Sequence, residues 1–208
     1  MEQLPLALAP APAPTLDNFV PGRNAAALAA LREAAAGGPT TTVLYLWGVP
    51  GSGRTHLVRA ATAAGLAAVD DVETLDTPAQ IALFDAINDA RAAGAAVVVA
   101  GASSPAQLAL REDLRTRLGS GLAFELVPLS DAEKAEALRA RAASLGMKLP
   151  EDVLAWLMTH LSRDMGTQIA VLDALDRYSL AHQRPLTLPL VRAALRMDAR
   201  TESRTESR

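Results

Sequence analysis

The chain has 208 residues, half of them hydrophobic and 21% charged, with a formal net charge of -3. This is the profile of a globular protein of one ordinary domain or two small ones, and the slight negative charge argues against indiscriminate nucleic-acid binding. There is no cysteine, which excludes a disulfide framework and a thiolate metal site, and three widely spaced histidines make an imidazole metal centre a poor prospect.

The first residues, MEQLPLALAPAPAP, are apolar but lack a basic cluster and are broken by prolines. We therefore read residues 1–14 as an extended tail rather than a leader, and no later run has the length and apolarity of a membrane span. A cytoplasmic protein with no membrane partner is the expectation. After TLDNFVPGRN, an Ala/Leu pattern predicts a helix over about 24–36, stopped by Gly37-Gly38-Pro39. TTVLYLWG, 41–48, reads as a buried parallel strand ending in glycine. A glycine-rich loop and a helix over about 54–64 follow, then GLAAVDDVE as a short strand ending in acids.

Further along, residues 77–93 carry a helical apolar pattern, AGAAVVVAGAS (93–103) a third strand, LREDLRTRLGSG a basic helix and turn, and LAFELVPL a fourth strand. Strands alternating with helices predict a parallel α/β sheet. From Ser130 the pattern turns helical. SDAE is a capping box, and helices are expected over about 150–161, 163–182 and 187–197, the last with Thr187 as cap and Pro189 in its first turn. The repeated TESRTESR reads as disordered. The expected domains are thus the tail at 1–14, an α/β domain at 15–128, a helical domain at 129–199 and a second tail at 200–208.

GVPGSGRTHL, 48–57, matches a phosphate-binding loop except at Arg54, where that loop has lysine. Glycines at 48, 51 and 53 let backbone amides converge on phosphate oxygens, at the positive end of the following helix. Ser52, Arg54, Thr55 and His56 complete the candidate site; Thr55 would ligate Mg²⁺. Asp70 and Asp71, closing an apolar strand, suit one carboxylate on magnesium and one orienting water; a polar turn is the plainer alternative. Arginine keeps the charge but is a planar fork on a longer stem, which suits holding a nucleotide better than hydrolysing it. Arg117, near a helix end before Gly119-Ser120-Gly121, is expected to reach outward, whereas Arg111 fits a solvated face with internal ion pairs. Gln3, Leu4, Leu6 and Leu8 in the tail suggest a peptide that docks in another protein's pocket.

Together, LYLWGVPGSGRTHL, VDDVETLD, LREDLRTRLGSGL and RDMGTQIAVLDALD resemble the P-loop, Walker B strand, box VII and sensor II helix of the AAA+ ATPase superfamily. Within it the chain is similar to the DnaA-related Hda family, regulatory inactivators of the initiator DnaA. The resemblance runs from QLPLAL to about residue 197, and an arginine in the P-loop is common in that family. It implies an AAA+ domain followed by a small all-helical lid. It implies binding of the DNA-loaded sliding clamp through Gln3, Leu4, Leu6 and Leu8, with DNA met only through the clamp. It also implies stimulation of ATP hydrolysis by ATP-bound DnaA, with Arg117 as the finger acting in trans. The implied cofactor is ADP before ATP, with Mg²⁺ held by Thr55 and Asp70 if present, or no nucleotide at all; a homo-oligomer is allowed. Gly166 stands where a sensor II arginine is expected, and Ala102 near a usually polar sensor I position. Only fourteen residues separate Thr55 from Asp70, too few for the usual edge strand and its helix, so a shortened sheet is expected. The rival functions are an autonomous ATPase of loader or remodelling type and a pure binding module with a vestigial nucleotide site.

Overall fold

The structure is a computed structural model describing residues 12–38, 41–161, 164–192 and 194. They divide into two compact units, Ala13–Leu129 and a helical unit beginning at Ser130. The first is built on four parallel strands, β1 (Val43–Trp47), β2 (Ala67–Val69), β3 (Val97–Gly101) and β4 (Leu122–Glu125), in the order β2-β3-β1-β4. Helices α1 (Ala25–Ala35), α2 (Arg54–Ala63), α3 (Thr77–Ala93) and α4 (Glu112–Gly119) connect and cover them.

The two-residue period of a strand explains the layering. In β1, Leu44 and Leu46 join Leu28, Leu31 and Leu57 of α1 and α2, whereas Val43 and Tyr45 join Leu83, Ile87, Leu114 and Leu118 of α3 and α4. Both faces are covered, so the run VLYLW is buried almost throughout, as a central parallel strand requires. Its register with β3 pairs Val43 with Val97 and Trp47 with Gly101, which brings the C-terminal ends of both strands to the same end of the sheet.

The sheet is short because α2 turns straight into β2. Leu66 N–H bonds the Ala61 carbonyl and Gly65 N–H the Thr62 carbonyl, both at 3.0 Å, with Gly65 at φ 87°. This Schellman turn leaves no room for another strand and helix, so β2 is the edge. The strand expected over 93–103 begins only at Val97, because α3 runs to Ala93 and Gly94 caps it at φ 67°. The strand expected over LAFELVPL stops at Glu125. Beyond it, Asn24 takes over the ladder: its Oδ1 accepts the Val127 N–H at 2.8 Å, and its Nδ2 donates to the Val127 carbonyl at 2.9 Å. This buried amide fastens the end of TLDNFVPGRN to the sheet.

The second unit holds α5 (Asp131–Ser144), α6 (Glu151–His160), α7 (Met165–His182) and a helical stretch at 188–192, around Leu138, Leu157, Leu172, Leu175 and Val191. Thr187 accepts from Val191 N–H at the start of that stretch. Among the described residues no helix is long and apolar enough to cross a membrane.

Ser130 and Glu133 form the expected capping box on α5, each satisfying the other's backbone amide. Ser130→Ala is therefore expected to cost about 1 kcal/mol and to lower the thermal midpoint by about 2–4 °C, read by circular dichroism.

Candidate functional site

β1 delivers the chain into the loop Gly48–Gly53, and α2 leads it away. Gly48 sits at φ 156°, and a Cβ there would overlap the Leu126 carbonyl oxygen. Ser52 N–H donates to the Val49 carbonyl at 3.2 Å, closing the turn, and Gly53 enters α2 at φ 93°. Arg54, Thr55 and His56 are then the first three residues of α2, whose amides have no acceptor within the helix. Two buried polar groups among the described residues also lack a partner here: the Ser52 hydroxyl and Nη1 of Arg54. Orphaned donors beside a helix N-terminus are a good fit for the phosphates of a nucleotide.

TLDNFVPGRN lies against this loop. The Phe19 ring packs on Gly53 so closely that a Cβ there would stand 2.8 Å from it. Phe19 also meets the His56 ring, at 5.3 Å between centroids, and Nε2 of His56 lies 3.2 Å from the Thr15 carbonyl oxygen.

Arg54 does not reach into solvent. Its side chain is 13% exposed and points its guanidinium at the acids beyond β2, with Nη2 3.7 Å from Asp71 Oδ1 and Nη1 4.0 Å from Glu73 Oε1. These distances are attractive but too long for hydrogen bonds. Asp71 holds a left-handed backbone (φ 46°, ψ 52°), which aspartate tolerates better than most residues. Asp70 turns its Oδ1 onto the Asp71 N–H at 3.0 Å. Thr55 is exposed. Among the described residues, no three or more acids or histidines group to hold a metal ion, although magnesium on a nucleotide needs only one or two protein carboxylates.

Glu73 is a site residue that the sequence reading missed. Its Oε1 accepts the Ala102 N–H at 3.1 Å, tying the end of β3 to the acids. Beneath it, the buried Tyr45 hydroxyl donates to the Ser103 carbonyl at 2.7 Å. Burial first, and then the Glu73 charge, push the Tyr45 pKa above the usual phenol value, with Arg54 opposing. The hydroxyl therefore stays protonated and remains a donor. The signal for Glu73 was present in VDDVE, since the short 3-10 turn Val72–Thr74 turns the chain back just after Asp71.

The arginine helix departs from expectation. Arg117 does not reach outward from the turn that follows it; it is half-buried against α3. Its Nη2 donates to Asn88 Oδ1 at 2.9 Å, and its guanidinium lies 5.6 Å from the centre of the Phe84 ring. An aromatic ring and an amide on α3 thus offer it a cation–π contact and a hydrogen bond. Arg111 forks onto Asp113 at 3.2 and 2.7 Å, and its hydrogen bonds hold the Asp113 carboxyl below the usual range. Gly166 lies in the first turn of α7, whose N-cap Asp164 accepts from Thr167 N–H at 2.7 Å. Gln3, Leu4, Leu6 and Leu8 lie outside the described residues.

Residues 131–195 match the family model described as Hda, lid domain. Among solved structures, the chain is similar to domain III of the replication initiation protein DnaA from Thermotoga maritima. The TM-score is 0.63 at 21% identity, over 90% of this chain and 98% of that one. It is also similar to AMPPCP-bound DnaA from Aquifex aeolicus, with TM-score 0.60, 19% identity and coverage of 76% and 62%. The RuvB Holliday junction branch migration motor of Thermotoga maritima shares the fold at TM-score 0.57 and 17% identity, over 91% and 72% of the two chains. The helical unit thus matches the lid-domain model of Hda, and the chain as a whole has the AAA+ fold that domain III of DnaA and RuvB share.

Proposed function

We propose that this chain is a regulator of replication initiation that engages the DNA-loaded sliding clamp and stimulates ATP hydrolysis by DnaA. The observation that carries the reading is Arg117. In a DnaA-like fold it sits on the helix resembling box VII, bonded at one nitrogen to Asn88 and near the Phe84 ring, with no carboxylate to neutralise it among the described residues. An arginine of that kind, offered to another subunit's nucleotide, stabilises charge that develops during phosphoryl transfer.

The chain's own loop has the quieter role. The amides from Gly48 to His56, with the Ser52 hydroxyl and Arg54, would hold the phosphates of ADP, and Thr55 and Asp70 would take any accompanying magnesium. Bound there, the nucleotide supplies stability to the fold rather than a reaction. Arg54 faces Asp71 and Glu73, and Gly166 adds no cation, so hydrolysis by the chain itself is expected to be slow.

The test is phosphate release by ATP-loaded DnaA with clamp-loaded DNA, measured with and without this chain. Stimulation that requires both is the expected result. The double variant Leu6→Ala, Leu8→Ala should lose the clamp in a calorimetric titration and lose the stimulation, with the thermal midpoint unchanged. Comparable phosphate release by the chain alone would instead identify an autonomous ATPase, and no stimulation at all would reject the proposal.

A further inference from the structure

Gln80, Phe84 and Asn88 of α3 are spaced four apart, which places them along one face of the helix, and all three meet the segment that carries Arg117. Gln80 is buried, 8% exposed. It donates to the Leu75 carbonyl at 2.9 Å and accepts the Arg111 N–H at 3.0 Å, at the start of α4. Phe84 and Asn88 hold Arg117 at the other end of α4. Between them Leu83 and Ile87 pack in the same core as Leu114 and Leu118. One face of α3 therefore sets both the position of α4 and the direction of its last arginine.

The chemistry of the holding group matters. Elsewhere in the described residues, Arg54, Arg111, Arg139 and Arg141 face carboxylates. Arg117 is held by a neutral amide, although Asp85 and Asp89 stand on the same helix. A carboxylate would hold the guanidinium more firmly but would cancel its charge and engage a second N–H, as bidentate pairs do. An amide takes one N–H and leaves the charge whole. The Phe84 ring, 5.6 Å from the guanidinium, carries no charge to cancel it either.

We infer that Asn88, seated beside Phe84, is a positioning residue for Arg117: it fixes the guanidinium while leaving its positive charge uncompensated. This rests on the reading that Arg117 acts on the nucleotide of DnaA. The discriminating variant is Asn88→Asp, nearly identical in shape but negatively charged. The full chain is titrated into ATP-loaded DnaA with clamp-loaded DNA, and its thermal midpoint is measured alongside.

The expected result is a maximal rate lowered about ten-fold, an unchanged half-maximal concentration, and a midpoint unchanged or raised by the new ion pair. Asn88→Gln, which restores a neutral acceptor on a longer stem, should recover most of the rate. A merely structural Asn88 predicts the reverse, because a stronger tether would preserve or improve activity. The inference is overturned if Asn88→Asp retains the full rate, if the glutamine and aspartate variants fail alike, or if the loss follows a fall in midpoint. Arg117→Ala separates the two levels. If it leaves the rate intact, the trans-acting reading itself fails; if it abolishes the rate while Asn88→Asp does not, the positioning role alone fails.

Discussion

Substitution of Arg117 by alanine is expected to lower the stimulated hydrolysis of ATP by DnaA by about 10³-fold or more, the range in which trans-acting arginines operate. The effect is electrostatic. Negative charge spreads over the transferred phosphoryl oxygens in the transition state, and a guanidinium brought to it with its charge uncompensated stabilises that charge. In the chain itself Nη2 is bonded to Asn88 Oδ1, and the Phe84 ring lies 5.6 Å from the guanidinium. The same contacts mean that alanine also removes packing, at a cost of about 1 kcal/mol and a midpoint lower by about 2–4 °C. Arg117→Lys is therefore the necessary companion. It keeps a charge and much of the stem but not the planar fork, and should retain only about a tenth to a hundredth of the stimulation. Clamp binding, measured by calorimetry, should be untouched by either change. A full rate from Arg117→Ala in the presence of clamp and DNA would sink the assignment.

Much of the architecture was legible because it is local. The helix expected over 77–93 has those ends in the structure, set by Asp76 capping the Ala79 amide and by Gly94 after the last turn. SDAE announced its capping box, and VLYLW announced a strand buried on both faces. The short link from Thr55 to Asp70 announced a reduced sheet, which the turn at Gly65 now explains. What stayed hidden depends on partners distant in sequence. Nothing near Arg117 says that Phe84 and Asn88, roughly thirty residues earlier, will draw it inward. Nothing in VPL says that the Asn24 amide will stand in for a strand. Glu73 escaped notice because the two aspartates before it carry the more familiar pattern. Its partners, Arg54 and the Ala102 amide, come from two other elements. Periodicity reports which face a residue occupies, and only the assembled sheet reports what waits there.

Gly48→Ala is expected to have the largest effect on stability of any single change in the loop, and it bears on what the loop is for. A methyl at Gly48 meets the Leu126 carbonyl, and Leu126 N–H is itself bonded to the Trp47 carbonyl at 2.6 Å. The strands β1 and β4 would have to separate, or the backbone would have to abandon a φ of 156° that alanine does not hold. Overpacking and backbone strain together cost about 3 kcal/mol, a fall in midpoint of about 6–12 °C. Gly51 offers the contrast. Its φ is 82° and nothing lies within 4 Å of a Cβ added there, so alanine at this position incurs only the left-handed strain of about 1–2 kcal/mol. If the loop's glycines served the nucleotide alone, the two variants would be equally stable without ligand and differ only in their response to ADP. The expected pattern is otherwise: Gly48→Ala is the less stable in buffer, whereas Gly51→Ala loses more of the ADP-induced rise in midpoint that binding to the native state must produce. A midpoint for Gly48→Ala no lower than that of Gly51→Ala would show that Leu126 yields easily. The glycine loop before Arg54 would then be shaped by its ligand and not by the sheet.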